Sequence, residues 1–317
     1  MGKRANADTA AVRAERKRVR QQLGPLAQLQ VGVSGQKRYV RAMFAFLQWC
    51  WISYAFLPET YEQLDDLFFE FICCAWSEGE PVSLVQDGLS GLQWFLRRRR
   101  ILSGSWRLLG VWQRNETPWR APPVTIEILF AMLGLCLFFN EIELVCYLSL
   151  SFHCLLRTEE GLQVLVSHLV PSRNKMRLRL KGKSENRFGT TDDVVVEDEI
   201  VLFLLRFIMR GKQRGDKIYS DSGWIFRRKW AWLVKALLLG SDYKPYGLRR
   251  GGATFEWTCN NNAGRLCIKG RWKQLSTARI YAVQGQELLR NAQLGGESLQ
   301  RIHWWAAQLQ GLLRKIK

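Results

Sequence analysis

Pro245-Tyr246-Gly247-Leu248-Arg249-Arg250-Gly251-Gly252-Ala253-Thr254 opens the stretch whose reading decides the fold of this chain. Mixed residues follow, then Gly270-Arg271-Trp272, and the stretch closes on Ser276-Thr277-Ala278-Arg279-Ile280-Tyr281. Arginines, an indole and a phenol thus share one short segment, and the set suits phosphate chemistry. A guanidinium is permanently charged and can grip two phosphate oxygens at once. An indole N–H donates without titrating. A tyrosine hydroxyl can attack phosphorus and form a covalent ester. Gly251, Gly252 and Ala253 leave little side chain, which suits close helix packing behind such a cradle.

The surrounding chain is strongly basic. Its 317 residues carry 47 Lys+Arg against 28 Asp+Glu, a formal net charge of +19. That excess implies a polyanionic partner, nucleic acid first and an anionic membrane surface second. At 47% hydrophobic residues the chain folds, and its length allows two domains with real cores. The eight cysteines form no C-x-x-C pair and there are only three histidines, so no zinc site is expected. Most cysteines stand in apolar runs and read as small core residues. The opening residues carry no signal-peptide pattern, so a reducing compartment is expected.

The spacing in the opening stretch resembles the second half of the active site of the tyrosine recombinases, the phage-integrase family of DNA breaking-rejoining enzymes. That family carries His-x-x-Arg at a helix start, then His or Trp, then a nucleophilic Tyr nine residues later. Arg249 fits the arginine, Trp272 the His/Trp position and Tyr281 the nucleophile. Tyr246 stands where the family usually has His. Upstream, Leu155-Leu156-Arg157-Thr158-Glu159-Glu160-Gly161-Leu162 resembles the family's first arginine box, with Glu three residues after Arg. On a helix those two share a face. The resemblance implies that Arg157 binds the scissile phosphate and that Glu160 holds the site in place behind it.

Between the two boxes the periodicity turns to strands at Val164-Leu165-Val166, Met176 to Leu180 and Val194 to Val196. Lys181-Gly182-Lys183 follows the second strand. The family keeps a catalytic lysine on this hairpin; Lys181 fits it directly and Lys183 is the reserve. The fold class expected is mainly α with a small three-stranded β-sheet.

Taken in order, residues 1–33 form a basic N-terminal arm that includes Arg16-Lys17-Arg18 and Arg20. Residues 34–110 are helical by pattern, with Ser34 as a helix cap and Leu64-Asp65 in a second helix. They resemble the family's core-binding domain, a helical bundle that clasps DNA. Arg97 to Arg100 end its third helix, as a phosphate-contacting edge or a solvated end. The Pro-rich residues 111–123 read as a linker that lets two domains close around a duplex. Residues 124–285 form the catalytic domain. Its apolar start is broken by Glu127, Asn140, Glu141 and Glu143, so two buried helices are expected rather than a membrane span. Residues 286–317 form a helical tail, which in the family docks onto a neighbouring protomer; packing on its own domain is the alternative.

The resemblance implies site-specific recombination or integration by a metal- and ATP-independent transesterification. It proceeds through a 3′-phosphotyrosyl intermediate, with Lys181 as general acid. It further implies double-stranded DNA as partner, a homo-oligomer (a tetrameric synapse) on that DNA, no cofactor, a mobile-element origin, and an intracellular setting, the nucleus in a eukaryote. A domesticated relative that binds DNA without cutting it is the other reading. A phenol titrates near ~10, so Tyr246 can donate a hydrogen bond to phosphate but is a poor base at neutral pH.

Overall fold

Apolar residues at helical spacing build the first half of the chain. Ala42, Phe46 and Cys50 recur every four residues and form one buried face of a helix; Leu64, Leu67, Phe68, Phe71, Ile72 and Ala75 do the same for the next. The computed structural model describes residues 10–23, 30–98, 101–116, 120–180, 192–281 and 294–316, and divides the chain into two compact units, Met1–Trp119 and Arg120–Lys317.

The first unit holds α1 (Ala10–Leu23), α2 (Val33–Tyr54), α3 (Tyr61–Ser77), α4 (Val82–Leu96) and α5 (Ser103–Asn115). Helix α1 exposes Arg16, Lys17, Arg18 and Arg20. Helix α2 starts one residue before Ser34, on Gly32 as cap. Thr60 caps α3 and Gln63 bonds back to it, closing a reciprocal box. Core packing is aromatic: Phe46 lies 4.7 Å from Phe68 and 5.6 Å from Phe71, ring centre to ring centre. Leu64 is buried in this core, while Asp65 caps α5 from outside: its carboxylate accepts from Gly104 N–H at 2.8 Å and Ser105 N–H at 2.9 Å. Helix α5 runs to Asn115, five residues into the stretch expected to be linker. Leu109 and Trp112, three apart, are both buried and hold that last turn in the core.

The second unit begins with α6 (Ile126–Phe138) and α7 (Ile142–His153), apolar on almost every face because both are enclosed. Asn140, at φ 58, turns the chain between them. No helix among the described residues is long and apolar enough to cross a membrane. The sheet has the order β1-β2-β3, antiparallel throughout: β1 (Leu169–Pro171), β2 (Met176–Leu180) and β3 (Asp192–Val196). Met176, Leu178 and Leu180 face the core, and Arg177 and Arg179 alternate outward. The first strand is not at 164–166 as the β-branched residues predict. Those residues bond instead to the 216–218 segment: Val166 N–H to the Asp216 carbonyl and Ile218 N–H to the Val164 carbonyl, each at 2.9 Å. The strand forms five residues later, where Leu169 faces Leu178.

The helices α8 (Thr158–Leu162), α9 (Glu199–Arg210), α10 (Gly223–Ala236), α11 (Gly247–Asn260), α12 (Ala263–Gly270) and α13 (Leu275–Tyr281) complete the unit with α14 (Gly296–Leu313). Helix α14 packs on its own chain. Its backbone at Trp305 sits so close to α6 that a Cβ on Gly134 would strike the Trp305 carbonyl, and Ser298 Oγ donates to the Leu237 carbonyl at 2.8 Å.

Candidate active site

Helix α11 is pressed against two neighbours by its glycines. A Cβ on Gly251 would fall on the carbonyl oxygen of Val124, and one on Gly252 on that of Phe152, the last full turn of α7. This contact brings Arg249 to the junction between α7 and α8. The two adjacent arginines then part. Arg250 Nη1 donates to the Ala121 carbonyl and anchors the segment before α6. Arg249 turns into the site, where it is 1% exposed. Its Nη1 donates to the Leu155 carbonyl, its Nη2 to the Gly270 carbonyl at 2.6 Å, and its Cζ lies 4.9 Å from the Trp272 ring centre.

Two side-chain-bearing residues adopt left-handed backbone to make this geometry, at a cost of roughly 1–2 kcal/mol each. Leu155, at φ 50, turns the chain out of α7 so that its carbonyl meets the guanidinium of Arg249. Arg271, at φ 57, ends α12 with its N–H bonded to the Cys267 and Ile268 carbonyls. Strain of this kind collects where surrounding structure demands it.

Arg157 does not lie inside a helix, as the Arg-x-x-Glu spacing predicts. It is the extended residue before α8, at φ −71 and ψ 150. Glu160 reaches back from the first turn to accept Arg157 N–H at 2.8 Å and the Arg157 guanidinium. The Arg157 side chain is 54% exposed, so of the two predicted arginines it is the one presented outward. Glu160 Oε2, the oxygen that accepts the Arg157 N–H, also accepts Arg271 Nη2 at 2.6 Å. Burial alone would raise the Glu160 carboxyl; the Arg271 guanidinium and the Arg157 donors outweigh it and hold it below its ordinary range. Arg249 is pushed down to about 10 by burial first and then by the positive charges of Arg271 and Arg157. It remains a cation at neutral pH.

Tyr246 caps α11 in helical conformation and is 39% exposed. It stands near enough to Arg249 to favour the charged guanidinium. Trp272 is buried with Leu155, Ala253, Leu266 and Ala278. Ala278, fully covered, fixes α13, and the backbone of Tyr281 is the last residue of that helix. The Tyr281 side chain lies outside the described residues, as do Lys181 and Lys183. The structure therefore brings together Arg157, Glu160, Tyr246, Arg249 and Trp272.

Sequence reasoning passed over Arg271. Nothing in composition separates it from the chain's other arginines; the signal available was its place directly before Trp272. His153 is not part of the cluster. Its Nδ1 faces Asp198 Oδ2 at 3.6 Å, and burial lowers its pKa. Among the described residues no group of His, Cys, Asp and Glu is arranged to hold a metal. Cys136, Cys146 and Cys154 are buried, and burial pushes their thiols up, as inert core residues require.

The chain is mostly helical with a small three-stranded antiparallel sheet, a fold it shares with solved site-specific recombinases. Among solved structures, the chain resembles XerH site-specific recombinase bound to a palindromic difH substrate in a post-cleavage complex. The TM-score is 0.56 at 13% identity, covering 82% of this chain and 79% of the other. It also resembles the pre-cleavage complex of XerH with difH, with a TM-score of 0.54 at 14% identity, covering 81% and 79%. No protein-family profile matches the chain, and no curated protein does.

Proposed function

We propose that this chain breaks and rejoins double-stranded DNA through a covalent 3′-phosphotyrosyl intermediate. One observation carries the reading. Three guanidiniums, those of Arg157, Arg249 and Arg271, gather about the Glu160 carboxylate. Guanidiniums gathered in this way suit an anion with several oxygens, and a phosphodiester is one. The fold, shared with recombinases solved on DNA, supports the same reading.

In the proposed step the Tyr281 oxygen, its proton released to solvent, attacks phosphorus, the phosphotyrosyl bond forms, and the bond to the 5′-oxygen breaks. Arg157 and Arg249 neutralise charge on the non-bridging oxygens as the pentacoordinate state forms. Trp272 packs against Arg249 and donates one hydrogen bond. Lys181, with Lys183 as reserve, protonates the departing 5′-oxygen. The phosphotyrosyl ester conserves the bond energy, and a free 5′-hydroxyl reverses the step in rejoining. Four protomers acting on two duplexes complete an exchange. The test is covalent trapping on a pool of nicked duplexes of random sequence, read as a slow-migrating protein–DNA band under denaturing conditions.

Tyr246 favours a second reading, a binder that no longer cuts, because it occupies the place of an imidazole. Tyr246→Phe removes the hydroxyl donor and should slow covalent-complex formation. Tyr246→His restores a group that titrates near ~6.5 and should leave the rate equal or faster. Single-turnover rates of the three proteins at several pH values decide. A Phe variant as fast as wild type makes Tyr246 a packing residue. No complex in any of the three, on any duplex of the pool, supports the binder.

Either reading requires phosphate neutralisation. Affinity for a random duplex should fall steeply between about 50 and 200 mM salt, by roughly 10³–10⁵-fold if six to ten phosphates are contacted. A flat titration across that range points to a protein partner.

A further inference from the structure

We propose that Arg271 is a positioning residue of the active site: it holds Glu160, and through Glu160 it sets the Arg157 guanidinium against the scissile phosphate. This rests on the DNA-cleaving reading above and assigns a role to a residue outside the Arg-x-x-Glu and Tyr-x-x-Arg boxes.

Three observations carry it. First, the backbone. Arg271 ends α12 in a left-handed conformation, at φ 57, where glycine fits without strain. An arginine there needs a reason in its side chain. Second, the destination. The guanidinium is 6% exposed, far from the solvated fate of an ordinary helix-end arginine. It spans from α12 to the α7–α8 junction, donating to Glu160 Oε2 at 2.6 Å, to the Leu155 carbonyl at 3.3 Å and to the Cys154 carbonyl at 3.4 Å. Only a planar fork of donors can serve a carboxylate and two carbonyls together. Third, the shared acceptors. Glu160 is also the partner of the Arg157 N–H and guanidinium, and the Leu155 carbonyl is also the acceptor of Arg249. Arg271 therefore touches the carboxylate that holds Arg157 and one of the carbonyls that hold Arg249. Without it the Arg157–Glu160 pair loses its tie to the end of α12, and Arg157 loses the geometry that aims it. A misplacement of about 1 Å in such a group can cost 10²-fold in rate.

The experiment compares wild type, Arg271→Gly, Arg271→Lys, Glu160→Gln and the Arg271→Gly/Glu160→Gln double variant. Three quantities are read: melting temperature, affinity for nicked random-sequence duplexes, and single-turnover rate of covalent-complex formation on them. Arg271→Gly should slow covalent-complex formation by about 10- to 100-fold, with affinity within about twofold of wild type. Its melting temperature should fall less than that of Arg249→Ala, because glycine at this left-handed position relieves the backbone and offsets part of the lost hydrogen bonding. Lysine, which cannot serve all three acceptors, should fall between the two. Free guanidinium ion at sub-denaturing concentration should restore part of the Arg271→Gly rate. The double variant should be no slower than the slower single variant, since both act through one contact. An Arg271→Gly rate equal to wild type overturns the proposal. So does loss in step with melting temperature without guanidinium rescue, or losses that multiply in the double variant. If wild type itself forms no covalent complex on the pool, it is the cleavage reading that fails. The anion cradle is then read alone, by the rise of melting temperature with orthovanadate. A rise in wild type that is lost in Arg271→Gly keeps the positioning role, and no rise in wild type, or an equal one in both, ends it.

Discussion

Tyr281→Phe should abolish covalent attachment to DNA and leave duplex affinity within about twofold of wild type. The substitution removes one oxygen and keeps the ring, so only the nucleophile is lost. Helix α13 is held by Ala278, buried in the small cluster that includes Trp272 and Leu155, and that anchor does not depend on the phenol. No other group in the proposed step can form the ester, so the expected loss is complete rather than graded. The measurement is the denaturing-gel band on nicked random-sequence duplexes, with filter binding of the same duplexes beside it. A persisting band removes Tyr281 from its role. A lost band accompanied by lost binding means that the variant has damaged the fold.

Arg249→Ala should slow strand cleavage by on the order of 10²-fold or more, the scale of one missing transition-state contact. It should also destabilise the protein, because the Leu155 and Gly270 carbonyls lose a buried charged donor; an abandoned buried acceptor costs about 1–3 kcal/mol. Arg157→Ala separates the two effects. Its side chain is half exposed and bonded to Glu160, which keeps Arg271 as partner. The rate should fall by the same order while the melting temperature moves little. Rates measured at saturating DNA, together with thermal melts, distinguish the pair. If cleavage of bound DNA is unchanged in Arg157→Ala and only affinity falls, the arginine positions DNA without stabilising the transition state.

Much of the fold was legible in the sequence because burial imposes a period. The faces of α2 and α3 follow from apolar residues three and four apart, and the alternation of β2 from period two. The polar break at Asn140 marked the turn between α6 and α7. What escaped was set by partners far along the chain. The β-branched Val164–Val166 segment reads as a strand, yet its backbone groups are taken by Asp216 and Ile218, so the strand forms later. The end of α5 reads as linker because Pro and polar residues follow it; Trp112, buried across the unit, keeps it helical.

The same division runs through the candidate site. The sequence by itself determined which residue types stand at which separations: an arginine before Glu160, an arginine three after Tyr246, an indole nine before Tyr281. Those separations are properties of one covalent chain, and local helix geometry translates them into shared faces and caps. The spacing singled out Arg249 of two adjacent arginines, and only the tertiary structure supplies the packing that turns it into the site. Gly251 and Gly252 let α11 approach Val124 and Phe152, and that approach aims Arg249 inward and Arg250 away. Only the tertiary structure brought Arg271 to Glu160, across 111 positions of sequence. A guanidinium finds its carboxylate through packing of whole helices, and no local pattern encodes a contact whose two halves are placed by different elements.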